Sequence, residues 1–380
     1  MPAILNVISV VFWGLLVLSL LVFIHEGGHF LAARAFGMRV TEFFLGMPSR
    51  FRLAFKSKRY GTEFGVTPIL LGGYTRICGM EGEEDELLAP ALACVQRHGR
   101  VKVAELADEI GCDEDRAYGL VATLADWGAI RPFYDPGLDE HRGQSTWPEA
   151  FETLARDDRL LNEYDRDHDF SRPGTTADAE PRVPDMSPVD FLQHERARTY
   201  LGKSFVPRLV ALLAGPAVNI VFALVLVVVT VSVFGMTFVQ DGQTMVWRPD
   251  VLTAIRFAFD YAFTVAEFAL RLIMPQHTME VLESSSSVVG ISVMASEAAS
   301  TSPVELVLLV ASVSMSLGFM NLLPIPPLDG GKILIEVVQL IIRRPLSTRA
   351  QNIVSYVGLA FFLFIFVVAL RNDIVRYVLG

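Results

Sequence analysis

The sequence predicts an α-helical polytopic membrane protein with four transmembrane helices, a membrane-associated β-hairpin or sheet, and a small cytoplasmic winged-helix-like insert. Three observations predict it. Hydrophobic residues make up 52 % of the 380-residue chain and charged ones only 19 %, a balance that belongs to membrane proteins rather than soluble globules. Four stretches each hold about 18 or more mainly apolar residues, the length that crosses a hydrocarbon layer. Between the first two, residues 81–200 carry about 28 acidic against about 13 basic side chains, which accounts for the net charge of -10. Such a surface repels nucleic acid and anionic lipid.

The first apolar stretch runs from Ile4 to Phe36. At 1.5 Å per residue it is about 50 Å long and overshoots a core of about 30 Å, so its C-terminal end is expected near an interface. It lacks the basic start and small-residue cleavage site of a signal peptide and is too long for one, so it reads as a retained helix. Arg34 lies at its end, Arg39, Arg50, Arg52, Lys56, Lys58 and Arg59 follow it, and no charged side chain precedes it. The positive-inside rule then places the N-terminus outside and the first loop in the cytoplasm. The other spans are Val206 to Phe234, Val304 to Leu323 and Ile353 to Leu370. They return the C-terminus to the outside and keep Arg343, Arg344 and Arg349 cytoplasmic.

The segments between spans differ in character. Residues 1–80 combine the first helix with a glycine-punctuated, alternating stretch from Thr41 to Met80, which reads as short strands and hairpins against the membrane surface. Residues 81–135 show helical periodicity in LAPALACVQRHG, VKVAELADEIG and DEDRAYGLVATLADWGAI, the pattern of a small winged-helix-like insert. Its acidic helices argue against DNA binding and for an interaction or sensing module. Residues 136–188, rich in Asp, Pro, Gly and Arg, read as a disordered linker. Residues 189–236 lead into and form the second span, and 303–380 hold the third and fourth. In residues 237–302, the stretch VLTAIRFAFDYAFTVAEFALRLIM is apolar but carries Arg256, Asp260, Glu267 and Arg271, so an amphipathic helix on the outer face is expected. Cys78, Cys94 and Cys112 are odd in number and without CxxC spacing, which suits free thiols in a reducing compartment.

The chemistry concentrates in LVFIHEGGHFLA, residues 21–32. On a helix, His25 and His29 project from one face a turn apart and reach a single ion, while Glu26 can contact a water on that ion as general base. Burying these groups in an apolar bundle is costly, and intramembrane ionisable groups are functional by default. Two nitrogens do not complete a catalytic zinc site, which takes three protein ligands. The strong candidate for the third is Asp329 in NLLPIPPLDGG, where Pro324, Pro326 and Pro327 break the helix at membrane depth. Asp329 can also cap the helix that follows. Asn219, in AGPAVNI of the second span, suits either a substrate backbone or oxyanion contact or a link between helices.

HEGGH, GPAVN and NLLPIPPLDGG, in that order, resemble the site-two protease family of intramembrane zinc metalloproteases, in its bacterial four-span branch. The resemblance covers roughly residues 1–80 and 195–375 and includes GVTPILLGGYTRICGM, which is similar to the family's membrane-associated β-hairpin. It implies zinc bound by His25, His29 and Asp329, and Glu26 as the catalytic residue that activates water. It also implies regulated proteolysis of single-span membrane proteins, such as anti-sigma factors or residual signal peptides, in the bacterial cytoplasmic membrane. Substrate contacts are expected from Asn219, Asn321 and the stretch Leu70, Leu71, Gly72, Gly73 and Tyr74, which can pair with an unwound substrate as an added strand. Gly27 and Gly28 are expected to let that substrate approach the metal. Two features depart from the family: residues 235–303 are too short for an ordinary PDZ domain beside the amphipathic helix, and the acidic insert is extra. The insert is the expected seat of a cytoplasmic regulator or ligand. The rival readings are a proton or metal-ion carrier built on the same polar cluster and a catalytically silent scaffold or sensor. The spans hold few further polar residues for a carrier, and the motifs are unbroken.

Overall fold

The computed structural model describes residues 2–49, 51–57, 61–70, 72–80, 85–140, 146–154, 156–157, 175–176, 178–181, 186–240, 243–344, 346 and 348–379. By their internal contacts the residues form two units, 30–208 and 1–29 with 209–380. Helix α1 (Pro2–Ala35) begins in the second of these and ends in the first.

In the unit of residues 30–208, strands β1 (Val40–Leu45), β2 (Leu53–Lys56), β3 (Glu63–Val66) and β4 (Gly73–Ile77) form one mixed sheet of order β2-β3-β1-β4. β1 pairs in parallel with β3 and antiparallel with β4, so β4 lies at an edge. Phe30 packs edge-on against Phe43 and Phe64, which ties the end of α1 to this sheet. Phe51, Leu53 and Phe55 stay largely exposed.

The insert follows as α2 (Leu88–His98), β5 (Arg100–Lys102), α3 (Val103–Ile110), α4 (Glu114–Asp126), β6 (Ile130–Phe133) and β7 (Ala150–Thr153). β7 lies between β5 and β6, antiparallel to both. Leu92, Leu106, Leu120, Leu124 and Phe151 are buried in a common core. The domain therefore extends past residue 135. Its central strand comes from the stretch expected to be linker, because AFET alternates too briefly among polar residues to announce a strand. The disorder expected for residues 141–145 and 158–174 lies outside the described residues. Helix α5 (Pro188–Arg196), capped by Ser187, adds Phe191 to the same core.

Arg39, just beyond α1, is almost fully buried and binds three parts of this unit. Its guanidinium donates to the Trp127 and Gly128 carbonyls at 2.7 and 2.9 Å and to Glu195 of α5 at 2.9 Å. Removing one partner of such a pair strands the other charge. Arg39→Met is expected to destabilise the unit by about 3–5 kcal/mol, and adding Glu195→Leu to recover part of the loss. Thermal unfolding followed by tryptophan fluorescence checks both.

The other unit holds α6 (Phe205–Val233), a hairpin of β8 (Met236–Gln240) and β9 (Gln243–Trp247), α7 (Val251–Leu272), α8 (Thr278–Ser284), α9 (Val288–Thr301), α10 (Pro303–Asn321), α11 (Asp329–Ile342) and α12 (Thr348–Ile374). Among the described residues, four helical segments are long and apolar enough to cross a membrane: they lie in α1, in α6, in α10, and in α12 with the turn that follows it. The described residues between α6 and α10 thus form two strands and three helices.

The helix expected on the outer face, α7, packs along two of the membrane-length helices. Asp250 caps α7 by accepting from the amides of Leu252 and Thr253. The helix then turns an alanine face, Ala258 and Ala262, onto Ala223 and Val227 of α6 and Ala311 and Met315 of α10. Tyr261 meets Ser312 of α10 hydroxyl to hydroxyl, and Ala269 and Leu272 pack with Leu323 just past the end of α10. From Tyr261 to Leu272 and from Ser312 to Leu323 the spacing is equal, so the two helices run side by side for about 16 Å. The charges stay on the far face, where Arg271 pairs with Glu267 at 2.8 Å. Ala254, Ala258 and Ala262, buried and one turn apart, made this close packing available, and the charge count concealed it. α9 returns alongside α1, with Ser296 bonded to Ser9 at 2.7 Å. Its first turn is held by the buried Asp373 of α12, which accepts from the Ser287 and Gly290 amides at 2.6 and 2.8 Å.

Candidate metal centre

HEGGH lies inside α1 as one continuous helix, so His25 and His29 stand a turn apart, both buried. α10 stops at Asn321, the proline-rich stretch 322–328 cannot continue it, and α11 begins at Asp329. Asp329 is the first residue of α11 rather than its cap, a position where the helix dipole favours a carboxylate. Its Oδ2 lies 3.1 Å from His25 Nε2 and 3.2 Å from His29 Nε2, and the two Nε2 atoms are 3.2 Å apart. A triangle of those sides has its centre about 1.8 Å from each corner, close to the 2.0–2.1 Å of zinc–nitrogen bonds. Glu26, half-buried, is the neighbour of His25 on the same helix.

The surroundings set the ring tautomers. His29 Nδ1 donates to the Ala211 carbonyl of α6 at 2.7 Å, which leaves the Nε2 lone pair facing the triangle. His25 Nδ1 lies 3.3 Å from the Asn219 amide nitrogen, while the fully buried Asn219 Oδ1 has no hydrogen-bond partner. Amide oxygen and nitrogen are assigned from their partners. Turning the amide over lets Oδ1 accept from His25 Nδ1–H, which satisfies the orphaned oxygen and frees the second Nε2 lone pair. The donor set fits a zinc ion: two imidazole nitrogens and one carboxylate oxygen, each held from behind.

These contacts bear on the roles of Asn219, Gly28 and Gly27. Asn219, expected to touch substrate, is directed onto His25. Gly28, expected to admit substrate, faces α6: a Cβ there would meet the Ala214 carbonyl oxygen at 2.5 Å, so it is the residue that lets the two helices touch. Gly27 alone faces open space, with nothing within 4 Å of a built Cβ. Sequence reasoning missed Gly215, where a Cβ would fall against His29 Nε2, closer than the 3.0 Å that real Cβ atoms keep. The signal was present in GPAVN, a glycine inside an apolar span.

The other expected contacts lie elsewhere. Asn321 closes α10, half-buried and with no hydrogen bond to the three donor atoms. Gly73 and Tyr74 open the edge strand β4, Tyr74 stacking on Phe44 at 5.3 Å, and the Gly72 carbonyl accepts from the Gly46 amide at 2.7 Å. Leu70 precedes them in a loop, and Leu71 lies outside the described residues. In the unit of the metal centre, an open apolar groove of about 330 Å³ is lined by Ile24, Ala214, Ala217, Val218, Val221 and Phe222.

Comparison with known proteins places the chain in a family. Residues 13–365 match the model of peptidase family M50. The metalloprotease MmpA of Caulobacter vibrioides is 27 % identical over 396 aligned positions, covering 96 % of this chain and 94 % of its own. The zinc metalloprotease RasP of Bacillus licheniformis is 34 % identical over 133 positions, 34 % of this chain and 31 % of its own.

Proposed function

This chain belongs to peptidase family M50, the site-two proteases, and is a zinc metalloprotease with four membrane helices; from that premise we propose that it cuts single-span membrane proteins within or next to their transmembrane segments. Anti-sigma factors and residual signal peptides are the substrate classes in view. The observation that carries the proposal is the triangle of His25, His29 and Asp329, with both histidines inside a helix long and apolar enough to cross a membrane. In this reading those three residues hold the zinc. When bound, the ion supplies Lewis-acid polarisation of the scissile carbonyl and acidifies a water. Glu26 takes the proton of the attacking water and later delivers it to the leaving amine. Asn219 holds the His25 ring in register, and Asn321 handles the substrate backbone.

A helical substrate hides its peptide bonds and must unwind to be cut. An edge strand such as β4 supplies the lost backbone partners, with Leu70, Leu71, Gly72, Gly73 and Tyr74 at its start. The apolar groove beside α6 suits the side chains of a membrane segment. The protein is placed in a bacterial cytoplasmic membrane, its termini outside and its insert in the cytoplasm. Arg34 in the last turn of α1, with Arg52 and Lys56 after it, supports that orientation. The paired courses of α7 and α9, down and back, leave the crossing count unchanged. The exposed Phe51, Leu53 and Phe55 suit contact of the sheet with the lipid surface. The order of elements in the insert supports the winged-helix-like reading, and its acidity supports a regulator or ligand other than nucleic acid.

The test is cleavage in liposomes that hold the protein and a single-span substrate, with the cut mapped by mass spectrometry. Cuts are expected within or beside the apolar segment, lost on zinc chelation and regained on zinc addition. Cuts confined to soluble loops overturn the proposal.

A further inference from the structure

A second group of metal-binding side chains lies in the insert, and it repeats the construction of the first. Cys94 and His98 stand a turn apart on α2, as His25 and His29 do on α1, and a carboxylate from another helix, Glu109 of α3, completes the set. The three donor atoms all lie within 4.8 Å of one another. His98 Nε2 is 2.8 Å from Glu109 Oε2, and the Cys94 thiol lies beside the same carboxylate. The other oxygen, Oε1, accepts from Arg97 at 2.8 Å, which fixes the orientation of the carboxylate and leaves Oε2 for a ligand. Cys94 is buried, whereas the side chains of His98 and Glu109 are 47 % and 33 % exposed, so a cation can enter from the solvent side.

We propose that Cys94, His98 and Glu109 form a second zinc site, separate from the catalytic one and open to a water as fourth ligand. The donor chemistry selects the ion. A thiolate with an imidazole and a carboxylate suits borderline-soft zinc, whereas magnesium and calcium demand oxygen ligands. Binding displaces protons: the Sγ–H proton leaves to solvent as Sγ joins the ion, and the His98 ring proton shifts through solvent from Nε2 to Nδ1, so that the Nε2–H···Oε2 hydrogen bond to Glu109 gives way to two metal bonds. Because the thiol must lose its proton to ligate, metal binding releases protons. Nothing between Leu88 and Ile110 but the short β5 joins α2 to α3, and the ion pins the two helices across that turn. The acidic insert thereby becomes a zinc-responsive element.

The test is cobalt(II) substitution of the full-length protein in detergent, read by near-ultraviolet absorption and total metal. Wild type is expected to show a thiolate-to-cobalt charge-transfer band. Cys94→Ser and His98→Ala are each expected to lose that band and about one metal ion per chain relative to wild type. Cys112→Ser, the control for a different thiol, keeps both. Should Cys94→Ser fail to fold, His98→Ala, altered on the exposed side, serves alone as the ligand variant. A wild-type protein without the band, or band and metal content unchanged in the ligand variants, overturns the proposal.

Discussion

Glu26→Gln is expected to slow cleavage by about 100- to 10,000-fold while zinc content stays at the wild-type level. The substitution keeps the size of the side chain and removes only its ability to take a proton. Glu26 does not belong to the triangle of Nε2 and Oδ2 atoms, so the metal is not disturbed. The loss should fall on kcat and on kcat/KM alike, the pattern of an interaction made only in the transition state. Initial rates against a reconstituted single-span substrate, with zinc measured on the same preparation, separate a lost base from a lost metal. Retained cleavage removes Glu26 from the mechanism.

Gly215→Ala is the second large effect, and it adds only a single uncharged methyl group. The new carbon falls against His29 Nε2 and 2.8 Å from its Cδ2 and Cε1, all rigid ring atoms. The ring cannot swing away cheaply, because its Nδ1 is tied to the Ala211 carbonyl and its surroundings are packed. A displacement of about 1 Å at a catalytic constellation costs about 100-fold in rate, and here the displaced atom is itself a metal donor, so zinc should fall as well. Gly27→Ala is the control. Nothing lies within 4 Å of its Cβ, and the variant should keep its zinc and gain up to about 1 kcal/mol of helix stability. Zinc analysis and cleavage rates of the two variants side by side check the contrast.

Local features of the chain were legible because local physics produces them. The i, i+4 spacing of HEGGH needs only a continuous helix, and three prolines near Asp329 break a span wherever the chain goes. The four apolar lengths similarly announce four spans, and the structure carries each at nearly the expected bounds. What stayed hidden depends on partners distant in sequence. The Asn219 amide suits an oxyanion donor or a helix link equally well until His25 is seen beside it. β7 became a strand only because β5 and β6 lie on either side of it. The four charges of α7 argued for a surface, while Ala258 and Ala262, which decide its packing, carry no hydrophobic signal strong enough to outweigh them. Arg39 looked like one more positive-inside residue and turned out to be a buried tie to Glu195.

The mechanism rests on His25, His29 and Asp329 holding the zinc together. The decisive quantity is zinc content per chain in a Cys94→Ala background, where the insert contributes none. That parent variant should carry about one ion, and adding His29→Ala or Asp329→Ala should bring occupancy close to zero with helix content by circular dichroism unchanged. Zinc that stays at the parent level in both variants contradicts the assignment.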